Sequence, residues 1–292
     1  MRSHPADYEF VSPGSIGAVL ELLHCEPGEW LPVAGGTEVM VQYSAGRLAA
    51  RRLVNLWDVK ELCRITETDT TLTIGGGCTF TQLREHRSVQ EHFPLLAQAA
   101  SWTGSIANQN RATIAGNIVN ASPAADSPPA LFAYEAELEL VSVSGARRIA
   151  YTDFHLGYKK TALAPGELLF AIHLPKRFAG WFRYGQKTGT RNAQAISKVC
   201  IAGVGRLAEG RVESLHIGMG AVAATPLRLR KTEESLVGAA LTKSAIANAR
   251  HVLLTEIAPI DDIRSSAEYR GHVAGNLLEA LLCTFAASKD VA

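Results

Sequence analysis

The hexapeptide Gly203-Val204-Gly205-Arg206-Leu207-Ala208 satisfies G-x-G-x-x-A, the spacing of a dinucleotide-binding turn. That turn works only where a strand feeds straight into a helix whose N-terminus takes the pyrophosphate. Here Ala208-Glu209-Gly210-Arg211 reads as a tight turn, and Val212 opens another apolar strand-like run. The segment is predicted to be an antiparallel hairpin, which removes the main argument for a doubly wound parallel sheet. Gly180 to Thr188 imitates a phosphate-binding P-loop, but Gln186 between Gly185 and Lys187 breaks the spacing.

Outward from the hairpin, Trp181–Tyr184, Ile196–Leu207, Val212–Met219 and Leu227–Leu229 read as strands. Helices are predicted at about 243–256 and from Ser265 onward, the latter with Tyr269, Val273, Leu277, Leu281 and Phe285 on one stripe. Toward the N-terminus, a helix capped by Ser12 with Pro13 in its first turn carries Ile16, Val19, Leu20 and Leu23. Short strands follow at Leu31–Val33, Arg51–Leu56 and Thr71–Ile74, then a helix at Pro94–Ser101 and a long polar loop from Gly104 to Pro129. Ala136–Ser144 and Arg147–Phe154 form a second hairpin, Glu167–Leu174 is a strand closed by Pro175, and residues 175–180 read as a linker. Strands grouped before helices predict an α+β protein.

Composition narrows the function classes. The 292 residues hold 29 Lys+Arg against 28 Asp+Glu, for a net charge of +1, and 47% are hydrophobic. That balance gives no electrostatic footprint for nucleic acid and no basic patch for a membrane surface. No stretch reaches the 18 or so apolar residues of a spanning helix, and Met1–Phe10 has no signal-peptide core. A cytoplasmic protein is expected. Five cysteines at 25, 63, 78, 200 and 283 show no metal-ligand spacing and are predicted to be buried, unpaired thiols. Neither H-E-x-x-H nor G-x-S-x-G occurs, so neither hydrolytic metal chemistry nor a serine nucleophile is supported, and no catalytic side chain or metal ligand is assigned.

Two segments carry ligand chemistry. In Leu31-Pro32-Val33-Ala34-Gly35-Gly36-Thr37-Glu38-Val39 a strand runs into paired glycines, whose bare backbone lets an anion approach the N–H groups. In the second, 110–126, Thr113, Gly116, Asn117, Ser122 and Asp126 set short hydrogen-bonding side chains beside Ile114 and Ile118. That mixture suits a ligand with phosphates, a polyol and a flat apolar ring. An ordinary glycine turn and an Asx-rich loop are the alternatives.

With these segments in view, the chain resembles the FAD-binding (medium) subunit of the molybdenum hydroxylase family, the xanthine dehydrogenase, carbon monoxide dehydrogenase and aldehyde oxidoreductase type. Ala34-Gly-Gly-Thr37 looks like the family's first flavin motif, and Thr113-Ile-Ala-Gly-Asn117 with Ser122-Pro-x-x-Asp126 its second. Ile74-Gly-Gly-Gly77 with Thr79-x-x-x-Leu83, Gly166-Glu-Leu-Leu169 and Ala195-Ile196 are further matches. Asp262-Ile-Arg264-x-Ser266-x-x-Tyr269-Arg270 is similar to its C-terminal helix signature.

The resemblance implies a two-lobed PCMH-type FAD-binding domain over 1–176, with its lobes split near 57. It further implies a C-terminal domain with a small antiparallel sheet and helices over 177–287, and a tail at 288–292. It implies FAD held by Pro32, Val33, Ala34, Gly35, Gly36, Thr37, Glu38 and Val39 on one side. On the other stand Ala112, Thr113, Gly116, Asn117, Ile118, Ser122 and Asp126, the last facing ribityl or ribose hydroxyls. Leu169 falls near the flavin ring, and Lys187 at its edge or, alternatively, as a solvated strand lysine. The molybdenum cofactor would sit on a large partner subunit and the [2Fe–2S] clusters on a small one, with electrons leaving to NAD or another acceptor. Ala115 replaces the first of two glycines common in the family, and Gln194 an acidic residue of some members. Two rivals remain: a self-sufficient flavin reductase or oxidase like UDP-N-acetylenolpyruvoylglucosamine reductase, and a scaffold subunit without flavin.

Overall fold

The computed structural model describes residues 4–191 and 194–288, so residues 289–292 of the expected tail lie outside it. The chain opens with β1 (Glu9–Val11), α1 (Ile16–Cys25), β2 (Trp30–Val33), α2 (Val39–Ser44) and β3 (Arg52–Asn55). The three strands form a parallel sheet in the order β1-β3-β2. Val19, Leu20 and Leu23, predicted from their spacing, are the buried stripe of α1. The cap is Ser15 rather than Ser12. Ser15 is extended and its Oγ accepts from Ala18 N (3.3 Å), while Ser12 Oγ accepts from Asn55 Nδ2 (3.1 Å).

A second sheet, antiparallel throughout, is built from β4 (Ile65–Glu67), β5 (Thr71–Gly75), β6 (Glu137–Ser142), β7 (Gly145–Ala150) and, after a small hairpin of β8 (His155–Gly157) and β9 (Lys160–Thr161), β10 (Leu168–Pro175). Its order is β4-β5-β10-β6-β7. Between β5 and β6 the chain makes six helices: α3 (Phe80–Glu85), α4 (Arg87–His92), α5 (Pro94–Trp102), α6 (Ile106–Gln109), α7 (Ile114–Val119) and α8 (Ser127–Ala133). The expected loop over 104–129 is therefore about half helical. Ser105 and Thr113 each cap a short helix through the side-chain oxygen, and the i, i+4 pair Ile114 and Ile118 is fully buried. The spacing is visible in the sequence but spans one turn, too few residues for a periodicity to register.

The third sheet is antiparallel, β11 (Phe182–Thr188), β12 (Val199–Ala208), β13 (Arg211–Gly220) and β14 (Leu227–Arg228), in that order. Glu209 and Gly210, both at positive φ, make the β12–β13 turn, so Gly203-x-Gly205 is indeed a hairpin arm. Helices α9 (Arg230–Glu234), α10 (Lys243–Glu256) and α11 (Ala267–Ala286) complete the fold. β12 alternates between two cores. Val199, Ile201 and Leu207 face α10 and α11, while Ala202 and Val204 join the core of the five-stranded sheet. A strand buried on both faces explains its unbroken apolar run. Every residue of α8 is buried, because it packs between the β12–β13 pair on one side and helices α5 and α7 on the other.

Phe178, in the stretch read as a linker, is buried and packs with Tyr134 and Trp181. The expectation for the cysteines needs correction. Of the five unpaired thiols, Cys78 and Cys200 are buried but Cys25, Cys63 and Cys283 are exposed. No described helix is long and apolar enough to cross a membrane.

Candidate functional site

The two glycine-bearing segments meet. A Cβ on Gly35 would stand 1.8 Å from Arg111 O and 3.1 Å from Ala112 Cα, so only glycine lets the chain after β2 lie against residues 111–112. Arg111 returns a weak bond from Nε to Gly35 O (3.4 Å) and stacks over Trp57 at 3.8 Å. Gly36 has φ of +75°, which turns the backbone into α2, and no side chain caps that helix's first turn. The Gly75-Gly76-Gly77 stretch supports the second segment from behind. Ala115 N donates to Gly76 O (3.0 Å) and Ile114 N to Cys78 O (3.0 Å). The Ala115 methyl fits because Gly76 has none; a Cβ there would lie 2.9 Å from it.

Between the segments lies a cavity of about 1020 Å³. Fourteen predicted residues line it: Pro32, Val33, Ala34, Gly35, Gly36, Thr37, Glu38, Val39, Ala112, Thr113, Gly116, Asn117, Ser122 and Asp126. Three do not. Ile118 turns inward with no exposure, and Leu169 sits in the main core at 5% exposure. Lys187 lies behind the wall, where its Nζ donates to Asp126 Oδ2 (2.7 Å) and Trp102 O (2.9 Å). It is neither a solvated lysine nor a lining one.

The sequence reading missed the third side of the cavity. Thr103, Gly104 and Asn108 come from the α5–α6 region, Lys159 from the β8–β9 turn, and Arg191, Gln194, Ala195 and Ile196 from the connection between β11 and β12. Lys159 is at φ +56°, and its Nζ donates to Asn120 O (2.8 Å) and Oδ1 (2.7 Å). Gln194 and Ala195-Ile196 are the signals the sequence carries for this side, as family positions without an assigned place.

Among these groups, Asp126 is the most constrained. Its Oδ2 takes Lys187, and its Oδ1 accepts from Ser197 Oγ (2.5 Å), itself wholly buried. Burial pushes the Asp126 carboxyl upward, and the Lys187 ammonium and the two hydrogen bonds oppose that shift. Each oxygen, with one partner, retains a further acceptor position. One end of the Asn117 amide is held by Ser127 Oγ (2.7 Å), and Thr113 Oγ1 accepts from Gly116 N (3.2 Å), so the second segment is rigid before any ligand arrives. Among the described residues no group of His, Cys, Asp and Glu is arranged to hold a metal ion.

Comparison with known proteins agrees with this geometry. Residues 6–177 match the family model of the FAD binding domain in molybdopterin dehydrogenase, and residues 186–284 that of the CO dehydrogenase flavoprotein C-terminal domain. The putative xanthine dehydrogenase FAD-binding subunit of Escherichia coli K12 is 33% identical over 254 residues, 86% of each chain. The carbon monoxide dehydrogenase medium chain of Afipia carboxidovorans is 30% identical, covering 94% of this chain and 95% of that one. Among solved structures, reconstituted CO dehydrogenase from Oligotropha carboxidovorans superposes with a TM-score of 0.93 at 29% identity, over 98% of this chain and 100% of the other. The chain therefore belongs to the family of FAD-binding medium subunits of molybdenum hydroxylases, of the xanthine and CO dehydrogenase type.

Proposed function

We propose that the chain binds FAD in this cavity and works as the electron-transfer subunit of a heteromeric molybdenum hydroxylase. In this reading a large partner subunit carries the molybdenum cofactor and a small one the [2Fe–2S] clusters. Electrons reach FAD from the clusters and leave to NAD or another acceptor, in the cytoplasm. The observation that carries the reading is the cradle at Gly35: two backbones in contact, made possible by a missing Cβ, beside a cavity at the upper end of the size range for ligand sites.

The residues present suit the parts of FAD. The bare backbone of Gly35-Gly36-Thr37 and the uncapped start of α2 suit its pyrophosphate. By contrast, Ile114 N, Ala115 N and Gly116 N of α7 are already bonded within the protein, which supports phosphates at the first segment rather than the second. Ser122, Asn117 and the open positions on Asp126 suit hydroxyls, and Val41, Val119 and Ile196 suit an apolar ring. When bound, FAD would supply the redox chemistry, with the protein contributing binding, orientation and electrostatics. No acid or base on this chain is required.

The test is reconstitution of the purified full chain with FAD. Flavin absorbance near one equivalent per chain is expected, and its loss in Gly35→Val/Gly116→Val with the fold retained. A chain that holds no flavin, or a double variant that holds as much as the parent, sinks the reading and favours the scaffold alternative. Turnover of a small substrate by the isolated chain would favour the self-sufficient reductase.

A further inference from the structure

The C-terminal signature around Arg270 has no part in the cavity lining, yet it contains the most deeply buried guanidinium described. Arg270 is 3% exposed, near the start of α11. Its Nη2 pairs with Asp262 Oδ1 (2.8 Å), and Nη1 donates to Lys198 O (2.6 Å) and Ala221 O (3.3 Å). A buried cation is costly unless it is paired, and this one, whose Nε has no partner, ties together two main-chain carbonyls, one just before β12 and the other just after β13. Asp262 is itself fixed, accepting from Arg264 N (2.8 Å) and Ser265 N (3.1 Å).

Both carbonyls belong to the chain that supports the cavity wall. Lys198 follows Ser197, whose hydroxyl bonds Asp126. Ala221 is at φ +65°, a strained setting for alanine, and its N–H donates to Pro123 O (2.7 Å). Pro123 lies in the 122–126 stretch that lines the cavity through Ser122, Ala124, Ala125 and Asp126. Gly220 seals the arrangement, since a Cβ there would meet Cys200 Sγ at 2.7 Å and Ala125 O at 3.3 Å. Two short paths thus run from one guanidinium to the same wall, each of three links or fewer.

We infer that Arg270 is a positioning residue for the FAD site: by holding Ala221 and Lys198, the neighbour of Ser197, it sets the Asp126 carboxylate through the Ser197 hydroxyl. The inference rests on the FAD reading above. It also gives a role to a buried charge where an apolar side chain of equal volume would cost less desolvation.

The test is a double-mutant cycle on the full chain, with the FAD dissociation constant, the flavin circular dichroism and the thermal midpoint as readouts. Arg270→Lys keeps the charge but loses the two-pronged geometry. It is expected to weaken FAD binding about tenfold when Asp126 is present, and less than twofold in an Asp126→Asn background. Ser197→Ala, which removes a single hydroxyl, must show the same dependence on Asp126 and serves alone should Arg270→Lys not fold. A residue that merely stabilised the fold would lower the thermal midpoint and shift binding equally in both backgrounds. Equal shifts, or unchanged affinity and dichroism, overturn the inference. Failure of the unmutated chain to bind FAD instead overturns the reading on which it rests.

Discussion

Gly35 is the position where one added methyl says most about the site. Alanine there would drive a Cβ to 1.8 Å from Arg111 O, a backbone atom that cannot rotate away. Gly35→Ala is expected to push the 111–112 segment back, at about 1–3 kcal/mol by analogy with overpacked cores, and to release flavin. Gly36→Ala meets nothing closer than Met40 Cγ at 3.8 Å and should cost only the strain of φ +75°. Flavin content and urea midpoints of the two variants check the contrast, and equal losses in both would contradict it. Lys187 gives a second contrast. Its side chain and that of Asp126 are each only 9% exposed, so Lys187→Met leaves a buried carboxylate without its cation. A loss of roughly 3–5 kcal/mol is expected, with much of it recovered in Lys187→Met/Asp126→Asn. Denaturant unfolding of the four proteins in the cycle decides it; a double variant no more stable than the worse single one is the failing result.

At the scale of elements, the glycines of β12 have an unexpected partner. Cβ atoms on Gly203 and Gly205 would meet Leu281 Cδ1 at 2.7 Å and Phe285 Cζ at 2.6 Å, so the strand is shaved to let α11 lie on it. Phe182 on β11 stacks on Phe285 with ring centres 4.6 Å apart. Gly205→Ala should therefore destabilise by about 1–3 kcal/mol by displacing Phe285, seen as a lower thermal midpoint with flavin content little changed. A variant as stable as the parent would mean that Phe285 moves without loss. This reading was legible only by half. The stripe Leu277, Leu281, Phe285 is plain in the sequence, and the turn at Glu209-Gly210 follows from its chemistry. Which face of β12 the helix covers is not, because Val199 to Leu207 is apolar on both faces. The 104–129 region was read as loop for a related reason: its helices are short and are specified by caps and tertiary packing rather than by a repeating pattern. The site showed the same division. Residues lining it through their backbone or as motif members are legible, whereas Thr103 after α5, Asn108 in the one-turn α6 and Lys159 in the β8–β9 turn are brought in without a repeating pattern.

For the whole molecule, the junction between the second and third sheets carries a titration signature. His216 on β13 lies against Phe178 and Trp181, its Nδ1 3.2 Å from Ala133 O at the end of α8. Burial, helped by the nearby Arg228 charge, pushes its pKa down to about 4, and burial alone does the same for His155. Both groups are held neutral in the folded state, while in the unfolded chain they protonate near pH 6.5. The unfolded state thus binds more protons between those limits, and stability is lost as pH falls from about 6.5 to 4. His216→Gln should flatten that part of the curve of thermal midpoint against pH, and a slope identical to the parent's would refute the assignment.

The tie between Phe178 and the main core has a consequence for protease access. Lys176-Arg177 is a dibasic pair at the junction of the second and third sheets, and its composition alone marks it as a cutting site for trypsin. In the folded protein Lys176 Nζ donates to Glu67 Oε2 (2.7 Å) and Thr68 O (2.8 Å), Arg177 pairs with Glu135, and the Phe178 ring packs among Tyr134, Trp181 and His216. A protease must pull about ten residues into an extended strand, which here means withdrawing an aromatic side chain from the core. Limited digestion should leave this bond intact until the protein unfolds globally, and early appearance of two fragments divided at 176–177 would show that the junction opens by itself.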